Sequence, residues 1–328
     1  MGATAVRHTV ALLASAAMLT GLAGCGLLPG SQQPATPQLE RSTLRIGVQP
    51  MVDVAPLYLA REQKLFEAAG LKVDLVQQAN DDSALAQLGT GTLDMAFATY
   101  VSMFKSGSTS TLQLQGEAYQ AASNTMALVT RPDSAKYKNF SDFANSPPTI
   151  AVNSVNDLGM VTTKSVLQLV GVDPTTIRFK AVPYADMATA LKNNQVDAAW
   201  MIEPFITQAQ KDFGAQIITD AARGATSAFP ISGYVASRQF ANKNPKTLAA
   251  FRKVLAQAQQ LAANPLTVRT VLPLYANVDT GTAELISIGT YPASLNAVRL
   301  QRVADLWTLQ QLGVRLDVAQ WLPPAAAS

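Results

Sequence analysis

Leu88-Gly89-Thr90-Gly91-Thr92-Leu93-Asp94-Met95-Ala96-Phe97 and, further along the chain, Leu191-Lys192-Asn193-Asn194-Gln195-Val196-Asp197-Ala198-Ala199-Trp200 are built to one plan. In each, the end of a helical pattern runs into turn residues, then an apolar-Asp pair, then an unbroken apolar run. A short apolar run without alternation, bounded by turn chemistry, reads as a strand buried on both faces. The plan therefore predicts helix, turn and buried strand, twice over. Asp94 and Asp197 are read as structural, since an acid at the start of a strand can bond nearby backbone amides.

The surroundings of each stretch extend the pattern. Before the first, Leu44 to Val48 reads as a strand, Pro56 to Ala69 as a helix and Val73 to Val76 as a strand. Pro56 near the start of that helix and Gly70 just past its end are the expected punctuation. Asp82-Ser83 offers an N-cap for Ala84 to Leu88. Leu93 to Ala98 is the next strand, with a short helix from Tyr100. Around the second stretch, Thr149 to Val152, Ile177 to Ala181 and Ala198 to Ile202 read as strands. Gly159 to Val170, Ala185 to Lys192 and Pro204 to Phe213 read as the helices between and after them. Ser232 to Ser237 is a further strand, and the remainder is mainly helical. Strand-helix-strand alternation implies parallel strands with right-handed crossovers. The fold class is α/β: two doubly wound lobes with a cleft between them.

The N-terminus bears on where the chain works. Arg7 precedes an apolar, Ala-rich stretch from Thr9 to Leu22, shorter than the roughly 20 apolar residues a membrane span needs. A charged start, a short apolar middle and small residues at its end predict a signal peptide over 1–24. Leu22-Ala23-Gly24-Cys25 resembles the lipobox of bacterial lipoproteins, in which the cysteine is lipidated and becomes the mature N-terminus. Cys25 is the sole cysteine of the 328 residues. The Pro-, Gln- and Ser-rich segment that follows, up to Arg41, reads as a flexible tether.

Removing the signal takes away His8, the sole histidine, and Arg7, leaving 24 basic residues against 22 acids. Such a near balance is not that of a nucleic-acid binder. Without His and with one lipidated Cys, the mature chain cannot build a Cys/His zinc site or a His-activated Ser or Cys nucleophile. No cofactor and no metal are expected. The length after the tether commonly divides into two domains.

A more specific resemblance rests on motifs in order. Leu44-Arg45-Ile46-Gly47-Val48, then Ala55-Pro56-Leu57-Tyr58-Leu59-Ala60-Arg61-Glu62-Gln63-Lys64-Leu65-Phe66 and Ala69-Gly70-Leu71-Lys72-Val73 open the series. Gly91-Thr92-Leu93-Asp94-Met95-Ala96 follows, then Val196-Asp197-Ala198-Ala199-Trp200 with Glu203-Pro204-Phe205, then Gly233-Tyr234-Val235-Ala236-Ser237. From about Leu44 to about Asn264 the chain resembles the nitrate/sulfonate/taurine branch of ABC-transporter solute-binding proteins, which also includes binders of thiamine-precursor pyrimidines.

The resemblance implies the type II periplasmic-binding-protein fold, with 42–130 and 235–328 in one lobe and 131–234 in the other. The chain would cross near Thr130-Arg131 and near Gly233-Tyr234. It implies capture of a small molecule at the outer face of the cytoplasmic membrane and delivery to an ABC permease with its ATPase subunits. The protein would be a monomer, held to the membrane by its lipid.

In an open α/β sheet, ligands sit beyond the carboxyl ends of the strands. There, helix N-termini present free N–H groups. This nominates Gln49, Met51 and Asp53 after the first strand, Asn80 after the second, and Thr99 and Tyr100 after the third. Asn124 lies before the strand at the first crossing. The other lobe offers Asn153, Ser154 and Asn156, then Tyr184, Trp200 and Glu203. Met51 also suits a core position, and Ser154 and Asn156 also suit helix caps. Asp53, Asp81, Asp82 and Glu203 lie in these loops with no basic residue among them. That favours an organic solute bearing an N–H donor, such as taurine or an aminopyrimidine, over nitrate.

Two other function classes use the same fold. A sensory or partner-binding lipoprotein would keep the cleft without transport, and genes for a permease and ATPase beside this one would argue against it. An enzyme is disfavoured. Relatives that make the thiamine pyrimidine consume an active-site histidine, by that resemblance, and the mature chain has none. Cys25→Ala is expected to abolish lipoprotein processing and move the protein out of the detergent phase on phase partitioning. Unchanged partitioning would refute lipid anchoring.

Overall fold

The computed structural model describes residues 38–106, 111–134 and 136–324. The expected signal peptide, Cys25 and nearly all of the tether lie outside the described residues. The chain runs through β1 (Thr43–Val48), α1 (Ala55–Glu62), α2 (Leu65–Ala68), β2 (Lys72–Gln77), α3 (Asp81–Gly89), β3 (Met95–Thr99), α4 (Tyr100–Lys105) and β4 (Leu112–Gln120). It then forms β5 (Met126–Thr130), α5 (Asp142–Asn145), β6 (Thr149–Val152), α6 (Leu158–Leu169), β7 (Arg178–Ala181), α7 (Tyr184–Lys192), β8 (Ala198–Ile202), α8 (Phe205–Phe213) and β9 (Gln216–Asp220). It ends with β10 (Pro230–Ser237), α9 (Arg238–Lys243), α10 (Pro245–Ala262), α11 (Pro265–Val271), α12 (Thr280–Leu285) and α13 (Ala297–Leu309).

Two sheets organise these elements, in the orders β2-β1-β3-β10-β4 and β7-β6-β8-β5-β9. Within each, the first three strands are parallel. The fourth, which arrives from the other sheet, is antiparallel to both its neighbours. The two α/β lobes thus share one topology.

The strand pairing corrects the expected crossings. Met126–Thr130 pairs with β8 and β9 and so belongs to the second sheet. Pro230–Ser237 pairs along its whole length with β4 and β3 and belongs to the first. The crossings therefore fall in 121–125 and 221–229, not at Thr130-Arg131 and Gly233-Tyr234. The Pro56–Ala69 helix is also two pieces. Lys64 takes a left-handed conformation (φ 54°) between α1 and α2.

The duplicated Asp performs the same task in both lobes. Asp94 N–H donates to the Arg45 carbonyl at 2.9 Å, and Asp94 Oδ2 accepts the Arg45 N–H at 2.8 Å. Asp197 N–H donates to the Thr149 carbonyl at 2.9 Å, and Asp197 Oδ2 accepts the Thr149 N–H at 2.8 Å. Each acid thereby pins the start of its strand to the start of the central parallel neighbour and sets the register. Arg41 and Arg45 also ion-pair with Asp94, at 3.1 and 3.4 Å.

The C-terminal helices do more than cover the first lobe. The buried face of α10 presents Leu248, Phe251, Val254, Leu255, Ala258 and Ala262 at helical spacing, and Phe251 stacks with Phe66 of α2. On α8, Lys211 Nζ donates to Asp279 and Thr282, each at 2.6 Å, at the start of α12. Arg302 of α13 donates to the carbonyls of Ala225, Ser227 and Ala228 within the second crossing. Gln310 reaches the Val161 carbonyl of α6 at 2.7 Å. This segment touches both lobes and one of the crossings.

Asp197→Ala removes a part-buried acceptor and leaves the Thr149 N–H unpaired. The expected loss is about 1–3 kcal/mol in denaturant unfolding. No loss would show that strand pairing alone sets this register.

Candidate functional site

Where the lobes face each other, carboxylates and hydroxyls from both meet. Asp81 opens α3 and is buried. Its Oδ1 accepts the Gln49 amide at 2.5 Å, and its Oδ2 accepts the Thr99 N–H and hydroxyl at 2.9 and 2.8 Å. Asp157, from the other lobe, caps α6 by accepting the Leu158 N–H at 2.6 Å. Its Oδ2 accepts the Ser102 hydroxyl of α4 at 2.6 Å, and its Oδ1 lies 3.2 Å from Thr99 Oγ1. The single Thr99 proton is therefore shared between acids of opposite lobes. Lys105 adds an ammonium 3.7 Å from Asp157 and 3.3 Å from Ser154 Oγ. Burial raises the Asp157 pKa and the Asp81 charge adds to it, while the Ser102 bond works the other way.

Asp53 sits deeper, between β1 and α1. Its Oδ2 accepts the Ser232 hydroxyl of β10 at 2.5 Å. Burial pushes its carboxyl up to about 7, with Asp81 adding to the shift. Tyr119, Tyr184, Tyr234, Tyr275 and Tyr291 all have pKa values raised by burial and further by the Asp53 charge. Tyr291 donates to the Val52 carbonyl at 3.0 Å, and Tyr119 Oη accepts the Gly289 N–H. The hydroxyls of Tyr100, Tyr184, Tyr234 and Tyr275 and the Trp200 indole N–H are buried and have no hydrogen-bond partner. Buried polar groups are nearly always paired. Of these unpartnered groups, the Tyr184, Tyr234 and Tyr275 hydroxyls feel the Asp53 charge, while Tyr100 lies toward Glu117 and Arg299.

Aromatic faces line the same region. Tyr58 and Tyr275 stack at 3.8 Å, and Tyr184 stacks on Phe205 at 5.3 Å and tilts against Trp200 at 6.1 Å. Gly159 lets the first turn of α6 lie on the indole, since a Cβ there would stand 2.8 Å from Trp200 Cε3. Two cavities flank the mouth and share Pro50 and Asn277. One of about 250 Å³ is lined by Tyr184 and Phe205, the other of about 550 Å³ by Tyr58 and Tyr275. A cavity of about 760 Å³ lies away from these residues, between α3 and Ser237–Gln239.

Of the expected residues, Tyr100 is buried beside Gly233, toward Glu117 and Arg299, whereas Gln49, Thr99 and Asp53 are buried around Asp81 and Trp200 is buried against Tyr184. Tyr184 joins them, as do Asn153, whose Oδ1 is unpartnered, and Ser154. Met51 belongs to the hydrophobic core. Asn80 is exposed and caps α3 by accepting the Ser83 N–H at 2.8 Å. Asn124 and Asn156 are exposed turn residues with φ of 61° and 59°.

Glu203 is buried, but its oxygens accept the Thr207 N–H and hydroxyl and the Ser287 N–H. It ties β8 and α8 to the C-terminal segment. Sequence reasoning missed Asp157, Ser102, Ser232, Tyr234 and Tyr275. Asp157 before an apolar helical run carried an N-cap signal. The others carried none, because a buried strand does not announce which face meets a cleft. Among the described residues no group of three or more His, Cys, Asp or Glu side chains could hold a metal. No described helix is long and apolar enough to cross a membrane.

Two α/β lobes of like topology, joined by paired crossings and meeting over a polar, aromatic cleft, define a protein of the periplasmic-binding-protein fold. Residues 37–274 match the model of the NMT1-like family, and the chain belongs to that family. Solved structures agree. The alkanesulfonate-binding protein of Xanthomonas axonopodis pv. citri, bound to MOPS, matches with TM-score 0.73 and 19% identity over 87% of this chain and 99% of its own. The ligand-binding component of an ABC-type import system from Staphylococcus aureus, with zinc bound, matches with TM-score 0.73 and 15% identity, over 87% and 97%. The periplasmic nitrate-binding protein of Synechocystis PCC 6803 matches with TM-score 0.64 and 18% identity, over 74% and 69%. All three are binding proteins rather than enzymes. A search of curated protein sequences finds no relative.

The raised Asp53 pKa sets a pH dependence. Between about pH 4 and pH 7 the folded state holds a proton that the unfolded chain has released, so stability falls as pH rises through this window. Asp53→Asn removes that penalty while keeping an acceptor for Ser232. The variant is expected to be more stable than wild type at pH 8, by up to about 4 kcal/mol, and to lose that advantage near pH 4. Denaturant unfolding at both pH values tests this, and a difference independent of pH would exclude Asp53 as the titrating group.

Proposed function

We propose that this chain is the extracytoplasmic solute-binding component of an ABC importer. It captures a small organic solute, sulfonate- or taurine-like or pyrimidine-like, and delivers it to a permease served by ATPase subunits. It acts as a monomer tethered through lipidated Cys25. The observation that carries this reading is the contact between lobes. Asp157 of one lobe accepts from Ser102 of the other, over a region whose tyrosine and tryptophan polar groups are buried without partners. A solute touching both lobes binds the closed state better and shifts the population toward it. The family and the fold support a binding role, and the ABC-import relatives support delivery to a permease.

Small-angle scattering tests closure. The radius of gyration is expected to fall when a panel of taurine, ethanesulfonate, nitrate and 4-aminopyrimidine includes a solute that binds. Asp157→Ala is expected to expand the solute-free protein by loosening the contact between lobes, at a stability cost near that of a lost cap, about 1 kcal/mol. An unchanged radius in that variant together with no compaction by any solute would overturn capture by closure.

A further inference from the structure

The acids of the cleft differ in what remains free on them, and this points to the charge of the solute. Asp81 is saturated by the Gln49 amide and by the Thr99 N–H and hydroxyl. Asp157 is saturated by the Leu158 N–H, the Ser102 hydroxyl and its share of Thr99, with Lys105 nearby. Asp53 accepts the Ser232 hydroxyl on Oδ2 and its own backbone N–H, fewer donors than either of the others, and among the described residues no cation is paired with it. The titratable groups that do face it are Asp81 from α3, Tyr119 from β4, Tyr184 from α7, Tyr234 from β10, and Tyr275 and Tyr291 from the C-terminal segment. All of these are neutral or negative. Lys105, 30% exposed, is the one described cation ion-paired with any of these three acids; it reaches Asp157 alone among them and is divided between Asp157 and Asp82.

We infer that the captured solute is an organic cation, a protonated amine or amidine, whose N–H groups bond to the Asp53 carboxylate. This rests on the solute-capture reading above and narrows it. A cation supplies the counter-charge that Asp53 lacks and makes a charge-assisted bond to its carboxylate. The hydroxyls of Tyr184, Tyr234 and Tyr275, buried without partners, offer acceptor oxygens to its remaining N–H groups. The unpartnered hydroxyl of Tyr184 feels Asp53, Asp81 and Asp157 together, which places it where their fields converge. A nitrate or a simple sulfonate would have to enter that same field against repulsion.

Calorimetry on the mature full-length protein decides the matter. The probes are benzylammonium, benzamidinium, benzenesulfonate and nitrate, each at pH 6 and pH 8. The cations are expected to bind and the anions not to. Cation binding needs ionised Asp53, so cation affinity is expected to rise about tenfold from pH 6 to pH 8. Titrations at pH 6 in buffers of different ionisation heat are expected to show a proton released on binding, a readout that a purely structural role would not move.

Asp53→Asn is expected to weaken cation binding at least about tenfold and to abolish the pH dependence. Ser232→Ala keeps the carboxylate and is expected to keep cation binding with its pH dependence. Cation affinity independent of pH, or unaltered in Asp53→Asn, overturns the inference. Tighter binding of benzenesulfonate or nitrate also overturns it and leaves solute capture standing. Binding by none of the four overturns it as well, and the scattering of Asp157→Ala then decides capture separately.

Discussion

One hydroxyl proton lies between the lobes. Thr99 closes β3, caps α4, and stands within hydrogen-bond distance of Asp81 from its own lobe and Asp157 from the other. Burying a carboxylate is costly unless donors replace the water it loses. Asp81 finds its donors within its own lobe. Asp157 finds the Leu158 N–H at home, but its remaining donors, Ser102, Thr99 and Lys105, all belong to the other lobe. The facing lobe is therefore what completes the shell of Asp157, and the orientation of the lobes is tied to a few polar atoms where they meet.

That dependence is possible because each lobe is rigid by the same device. The Asp94–Arg45 and Asp197–Thr149 bond pairs set the strand register that brings the ends of β1, β3, β6 and β8 to the facing edges. The C-terminal segment then spans the two bodies. Lys211, Arg302 and Gln310 join it to, or through it join, α8, the second crossing and α6. These bonds are largely exposed and individually weak, as surface pairs are.

The solved structures that share this backbone do so at 15–19% identity, so what the likeness shows is the frame. In this chain the lining is acidic and tyrosine-rich. Burial raises the Asp53 carboxyl to about 7, so its charge changes near neutral pH.

The sequence by itself determined the repeated strand-helix plan, the buried strands and the loops that would carry the site. Period, punctuation and the repeated apolar-Asp pair are local signals, and they set Gln49, Asp53, Thr99, Tyr100 and Tyr184 at the strand ends and helix starts, and Trp200 in the strand, where the structure has them. The crossings were misplaced because an apolar run such as Met126–Thr130 suits either sheet, and only pairing with β8 assigns it. Asn80, Asn124 and Asn156 stood in the right loops, yet their side chains serve a cap or a turn. Glu203 followed the right strand but turned toward Thr207 and Ser287. Asp157, Ser232, Tyr234 and Tyr275 entered the site through contacts between segments far apart in the chain. Only the tertiary structure decides such contacts, because the direction of a side chain at a strand's end depends on which donor the opposing segment presents.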